Sequence, residues 1–145
     1  MRRILWLDND APYLWEYRNS LVDAGYMVDF VMTPGAAEGK LNQEAYDLLI
    51  LDARLPVPES DEHEYPPECT RGGYQTGLHF LRRNGERLRQ CGTKVLVFTI
   101  VDQDDVRQAF EMEGVGPAGF LTKTAGSDEG AFLEAIGALL RSPAS

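Results

Sequence analysis

Four polar positions stand at the ends of apolar runs. Asp8-Asn9-Asp10 follows Ile4-Leu5-Trp6-Leu7, and Asp52 follows Leu48-Leu49-Ile50-Leu51. Thr99 lies in Val95-Leu96-Val97-Phe98-Thr99-Ile100, and Lys123 follows Gly119-Phe120-Leu121-Thr122. Packing alone gives little reason for hydrophobic runs to end in Asp, Asp, Thr and Lys. Carboxylates brought together repel unless a cation sits among them. Oxygen ligands with open positions suit Mg²⁺, which asks for octahedral geometry at about 2.0–2.1 Å and keeps some of its waters. A metal beside a lysine and a hydroxyl makes a receptacle for phosphoryl oxygens, whose charge must be neutralised during transfer.

The elements that would position these residues follow from the same runs. With Met27–Met32 added, there are five short apolar segments. The first, third and fourth are near-continuous, the pattern of strands buried on both faces of a parallel sheet. Amphipathic stretches separate them: 11–24, with Pro12 in the first turn; a helix capped by Thr33 with Pro34 at its first position; 77–90, interrupted by Asn84-Gly85; 103–113, capped by Asp102; and a last helix capped by Ser127, with Phe132, Leu133, Ile136, Leu139 and Leu140 on its apolar face. The strict alternation predicts a doubly wound (βα)5 α/β sandwich around a five-stranded parallel sheet. Ligands of such sheets bind outside the carboxyl ends of the strands, where Asp8, Asp52, Thr99 and Lys123 would meet.

One connection is out of scale. Residues 56–76 separate the third strand from the third helix, where about two to six residues are usual. Pro58, Pro66 and Pro67, with Glu59, Asp61, Glu62, Glu64 and Glu68, mark residues 57–76 as an inserted acidic, proline-rich loop, expected to be largely exposed and mobile. Its base must border Asp52, so it could be a lid over that residue, a docking surface for a partner, or a neutral insertion of the kind surface loops tolerate.

Composition narrows the function. The 145 residues are 43% hydrophobic and 26% charged, an ordinary globular balance. A net charge of −9 argues against direct DNA binding, and Arg82, Arg83, Arg87 and Arg89 read as a solvated helix face. No apolar run approaches the length of a membrane span, and the first apolar stretch is too short for a signal peptide. Cys69 and Cys91 form no C-x-x-C pair, which suits a reducing cytoplasm.

The ordered motifs resemble the response-regulator receiver domain of two-component signalling, over nearly the whole chain. Leu5-Trp6-Leu7-Asp8-Asn9-Asp10 is similar to that family's acidic cluster, and Leu49-Ile50-Leu51-Asp52-Ala53-Arg54-Leu55-Pro56 to its phosphoacceptor stretch. Val95–Thr99 and Gly119–Lys123 match its strands ending in Ser/Thr and in Lys. The resemblance implies a single flavodoxin-like receiver domain over 1–145. Asp52 would be the phosphoacceptor, Thr99 and Lys123 would hold phosphoryl oxygens, and Phe120 would take the aromatic switch position. Mg²⁺ would be held by Asp8, Asn9, Asp52 and Arg54. It implies a sensor histidine kinase or phosphotransfer protein as donor, output through a partner protein rather than an attached DNA-binding domain, and room for a homodimer. It implies a signalling module and not a turnover enzyme.

The chain departs from the family in several places. Asn9 stands where a ligating acid is usual, with Asp10 able to compensate if the backbone stays extended. Ile100 replaces a small residue beside Thr99, Thr124 replaces a proline, and Gly77 resembles the glycine that opens the third helix. Two other readings remain open: a receiver fold that signals by binding without phosphorylation, and a haloacid-dehalogenase-type phosphatase using Asp8 as nucleophile and Asp10 as general acid/base. The phosphatase reading leaves Asp52 without a task. Other signals are blander. Asp8 and Asp10 could merely cap a helix. His63 lies in a solvated acidic loop with no metal-ligand spacing. Gly114–Gly119 matches G-x-G-x-x-G, but in the reverse of its dinucleotide context.

Overall fold

The computed structural model describes residues 2–10, 14–123 and 129–142. Five strands, β1 (Arg3–Leu7), β2 (Met27–Val31), β3 (Leu48–Leu51), β4 (Lys94–Thr99) and β5 (Phe120–Thr122), pair in parallel in the order β2-β1-β3-β4-β5. The first chain segments therefore wind outward to one edge and the later ones to the other, and the order reverses beside β1 and β3. That reversal opens a crevice at the carboxyl ends of these two strands.

The near-continuous runs are explained by two cores, one on each face. Side chains alternate along a strand, so Leu5, Leu7, Leu49, Leu51 and Val97 face one way, and Ile4, Trp6, Leu48, Ile50, Leu96 and Phe98 the other. The second face holds an aromatic cluster in which the Trp6 ring stacks on Phe30 at 4.5 Å and meets Phe132 at 5.3 Å. It is covered by α1 (Trp15–Asp23) and α6 (Glu129–Arg141), through Leu21, Phe132 and Ile136. The first face is covered by α2 (Pro34–Gln43), α4 (Thr76–Gln90) and α5 (Asp104–Met112).

Most helix signals are borne out and some are corrected. Thr33 Oγ1 accepts from Ala36 N at 3.2 Å, with Pro34 next in the chain. Asn84-Gly85 does not interrupt α4. Both residues are buried, and Asn84 Nδ2 donates to the Phe80 carbonyl at 3.0 Å, so tertiary packing overrides the local breaker signal. Asp102 does not cap α5. Gln103 stands at that position, and Asp102 pairs with Arg107 at 2.7 Å. The readings at Pro12, Thr124 and Ser127 lie outside the described residues.

The connection from β3 to α4 is long, as the sequence predicts, but it is not a bare loop. It contains a 3-10 turn (Glu59–Asp61) and the short helix α3 (Pro67–Thr70). Asp61 Oδ2 accepts from Gly35 N at 2.9 Å in the first turn of α2. Tyr65 is 1% exposed, and its hydroxyl donates to Glu38 Oε2 on α2 at 2.5 Å. Arg83 of α4 bonds Glu38 at 3.0 Å and lies over the Tyr65 ring. Burial, followed by the bond to Glu38, raises the Tyr65 pKa above its ordinary value, so the hydroxyl stays protonated as the donor. The expectation of a largely exposed segment therefore fails at Tyr65, Thr70 and Gly73, which are buried, and holds at Glu59, Glu62, Glu64 and Glu68. Asp61 and Tyr65 tie the insertion to α2, and Arg83 joins α4 to the same ring and carboxylate.

Candidate functional site

The carboxyl ends of β1, β3 and β5 converge on one cluster of charges. Backbone bonds beyond the strands set the positions: Asp8 N to the Val31 carbonyl at 3.0 Å, Asp52 N to Leu7 at 3.1 Å, and Lys123 N to Thr99 at 2.8 Å. Lys123 Nζ then lies 2.6 Å from Asp8 Oδ2, 3.0 Å from Asp52 Oδ2 and 3.5 Å from Asp10 Oδ2. The lysine side chain is 7% exposed, and Asp8 and Asp52 are buried with it.

Three carboxylates share one ammonium, and the balance shows in the proton affinities of Asp8 and Lys123. Burial pushes the Asp8 carboxyl up to about 6, with the Asp52 charge adding to the rise and Lys123 opposing it. Burial alone would lower Lys123, but Asp52 and Asp8 hold it above its ordinary value. Asp8, Asp10 and Asp52 each offer a carboxylate oxygen within 4.8 Å of the others, the one such metal-ligating group among the described residues. Asp8 Oδ2 is buried with Lys123 Nζ, at 2.6 Å, as its partner, which leaves a second lone pair free. Hard oxygen donors, surplus negative charge and an oxygen with spare acceptor capacity fit a divalent cation such as Mg²⁺.

The sequence-predicted residues are distributed unevenly around this cluster. Asp8, Asp52 and Lys123 come together as expected. Thr99 is fully buried in register with Thr122, the residue before Lys123, and its Oγ1 accepts from Val101 N at 3.3 Å. Asn9 is exposed at the mouth, while Asp10 turns back onto Lys123. The extended backbone expected to carry Asp10 there is not what does so. The chain turns at Asn9-Asp10, and Asp10 N donates to Asp8 Oδ1 at 2.9 Å. Arg54 N donates to Asp52 Oδ1 at 3.2 Å, and the Arg54 side chain extends to the Tyr74 ring. Phe120 is buried edge-on to Phe110, with Arg107 over its ring at 4.6 Å.

Above the carboxylates opens a cavity of about 420 Å³ lined by Asn9, Asp10, Asp52, Arg54, Gly73 and Ile100, among others. Sequence reasoning missed the contribution of Gly72, Gly73 and Tyr74, whose one signal was the Gly-Gly pair before α4. Gly73 has φ +101°, and a Cβ there would sit 2.9 Å from the Leu55 carbonyl. Gly77 meets a different demand. A Cβ would run into the Asp52 carbonyl, so only glycine lets α4 pack against the backbone that carries the candidate acceptor.

The fold is similar to that of solved CheY-like response-regulator receiver domains. No family model and no curated protein matches the chain's sequence. Solved structures do match its fold. A CheY-like receiver domain protein from Methanospirillum hungatei JF-1 superposes with a TM-score of 0.72 at 21% identity, covering 97% of this chain and 94% of that one. The receiver domain of Francisella response regulator 1452 gives 0.72 at 15% identity, covering 97% and 98%. The chemotaxis response regulator CheY4 of Vibrio cholerae gives 0.70 at 19%, covering 96% and 98%. Among the described residues, no helix is long and apolar enough to cross a membrane.

Proposed function

We propose that this chain is a phosphoacceptor receiver module in which Asp52 takes a phosphoryl group from a histidine kinase or phosphotransfer protein. The observation that carries the reading is the buried cluster in which Lys123 Nζ reaches both Asp52 and Asp8 at the carboxyl edge of a receiver-like sheet. A carboxylate oxygen of Asp52 attacks phosphorus, the donor's bond to phosphorus breaks, and the electron pair leaves with the donor. Lys123 pairs with the new phosphoryl oxygens, and the Thr99 hydroxyl is the candidate second donor to them. Asp8, Asp10 and Asp52 would hold Mg²⁺, with Asn9 and the Arg54 backbone at the margin of the set. The ion would neutralise phosphoryl charge. The module would modify itself once per signal rather than turn over a substrate, act in the cytoplasm and pass its state to a partner protein.

The phosphatase alternative is less well supported, because Asp52 is as buried as Asp8 and shares its lysine. Incubation with Mg²⁺ and acetyl phosphate, followed by intact-mass measurement, tests the reading. One added phosphoryl group is expected, lost in Asp52→Ala and retained at a lower rate in Asp8→Ala. Modification on Asp8 would favour the phosphatase. No modification would leave a receiver fold that signals by binding alone.

A further inference from the structure

We propose that Tyr74, at the end of the inserted segment, is a positioning residue that holds the Arg54 guanidinium at the mouth of the acceptor cavity to meet the incoming phosphoryl donor. The inference rests on the receiver reading above and assigns the insertion a part in the transfer.

The charge of the site calls for such a group. Three carboxylates face one lysine, and a bound Mg²⁺ would bring the set only to neutrality. An incoming phosphoryl group adds two further negative charges. Lys123 lies buried against the carboxylates. Among the described residues lining the cavity, Arg54 is the one cation. An arginine at the mouth both attracts an anionic donor and presents planar donors to its oxygens.

An exposed arginine is ordinarily free to sample many rotamers, and here the insertion restricts it. The Arg54 guanidinium lies 4.8 Å from the centre of the Tyr74 ring. Tyr74 is 59% exposed, so core packing does not account for its place. The backbone does. Leu55 N donates to the Gly73 carbonyl at 3.0 Å, Thr76 Oγ1 donates to the Leu55 carbonyl at 2.7 Å, and Gly77 N donates to the Ala53 carbonyl at 3.0 Å. These bonds lace residues 53–55, immediately after Asp52, to residues 73–77. The left-handed run Arg71, Gly72 and Gly73, with φ of 52°, 66° and 101°, turns the chain so that Tyr74 emerges beside Arg54. Beyond Arg54 and Ile100 the acceptor cavity adjoins a second one of about 630 Å³, walled by Arg71, Tyr74 and Gln75 on the insertion and by Val101–Gln103.

In the transfer itself the Asp52 oxygen–phosphorus bond forms, the phosphorus–oxygen bond of acetyl phosphate breaks, and the electron pair departs on acetate. Arg54 makes and breaks no covalent bond. It raises the occupancy of the donor, so the effect belongs in the dependence of rate on donor concentration.

The test measures phosphorylation of the full chain by acetyl phosphate with saturating Mg²⁺, over a range of donor concentrations. Tyr74→Leu should lower the rate at subsaturating donor by about two- to five-fold, the shift an exposed cation–π pair supports, and leave the rate at saturating donor and the thermal midpoint near wild type. Tyr74→Phe should restore the wild-type rate. Arg54→Ala should lose at least as much, and Tyr74→Leu should add nothing in that background. Equal rates in wild type and Tyr74→Leu, or a Tyr74→Leu effect undiminished without Arg54, would overturn the inference. A wild-type protein that takes no phosphoryl group sinks the receiver reading instead. The contact is then judged by NMR: an Arg54 side-chain resonance shifted by the ring current should move in Tyr74→Leu and not in Tyr74→Phe, and an unmoved resonance would refute the positioning itself.

Discussion

Two charged clusters mark opposite ends of the sheet, and they are built on opposite terms. At the amino end, Arg3 reaches Glu44 and lies 4.0 Å from Asp29, while the Tyr46 hydroxyl donates to Asp29 at 2.6 Å. The arginine and both acids are about one-third exposed there, so water and salt share the work of neutralising them. At the carboxyl end, Asp8, Asp52 and Lys123 are almost wholly withdrawn from water, and three carboxylates meet one ammonium. A partly hydrated cluster in which one guanidinium meets two acids can hold a fold together modestly. A buried cluster with surplus negative charge costs stability until a cation or a proton arrives, and that cost is the mark of a site.

Four measurements distinguish the two clusters. The largest effect is expected from Lys123→Met, which leaves the buried carboxylates without their counter-charge. Urea unfolding at pH 8 without metal should show a loss of about 3–5 kcal/mol, with much of it recovered at pH 5 or on adding Mg²⁺. A variant as stable as wild type at pH 8 would mean the cluster is hydrated like its counterpart.

Asp8→Asn should act in the opposite direction. The folded-state pKa of Asp8 is raised, so its contribution to stability is fully present below the unfolded value near 4 and is lost as pH rises through about 6. Removing the charge should therefore raise metal-free stability at pH 8 by about 1–3 kcal/mol, flatten the profile between pH 4 and 7, and weaken Mg²⁺ binding. A steeper fall in this window for the variant would reverse the sign of the argument.

Asn9→Asp should tighten Mg²⁺, and by less than Asp8→Asn weakens it, because position 9 is exposed while Asp8 is buried. Calorimetric titration of the two variants beside wild type orders the three affinities. The smallest effect belongs to the amino end. Arg3→Met should cost a little stability at low salt and nothing at about 1 M salt, where the screening length is about 3 Å. A salt-independent loss would show that this cluster, too, is held away from solvent.

Much of the molecule was legible from residue order alone. Strands buried on both faces must be apolar at every position, so Ile4–Leu7, Leu48–Leu51 and Val95–Phe98 announced a covered parallel sheet. The alternation of runs and amphipathic stretches then left few topologies. The charged residues that end those runs had nowhere to go but one sheet edge, so Asp8, Asp52 and Lys123 could be grouped before any coordinate was known. Thr33 and Pro34 are a local device, and local devices are read well.

Contacts that depend on distant parts of the chain meeting were not legible in the residue order. Asp10 meets Lys123 at 3.5 Å because the parallel sheet brings the ends of β1 and β5 to one edge. α4 runs unbroken through Asn84-Gly85 because both are packed against the core. Tyr65 is buried because Glu38 and Arg83, on two other helices, close around it. Tyr74 meets Arg54 because backbone bonds lace the end of the insertion to the residues after Asp52. The physical reason is common to all four. Hydrophobic periodicity is a property of neighbours in sequence, whereas the pairing of a polar or aromatic group is set by which partner the fold brings within a few ångströms.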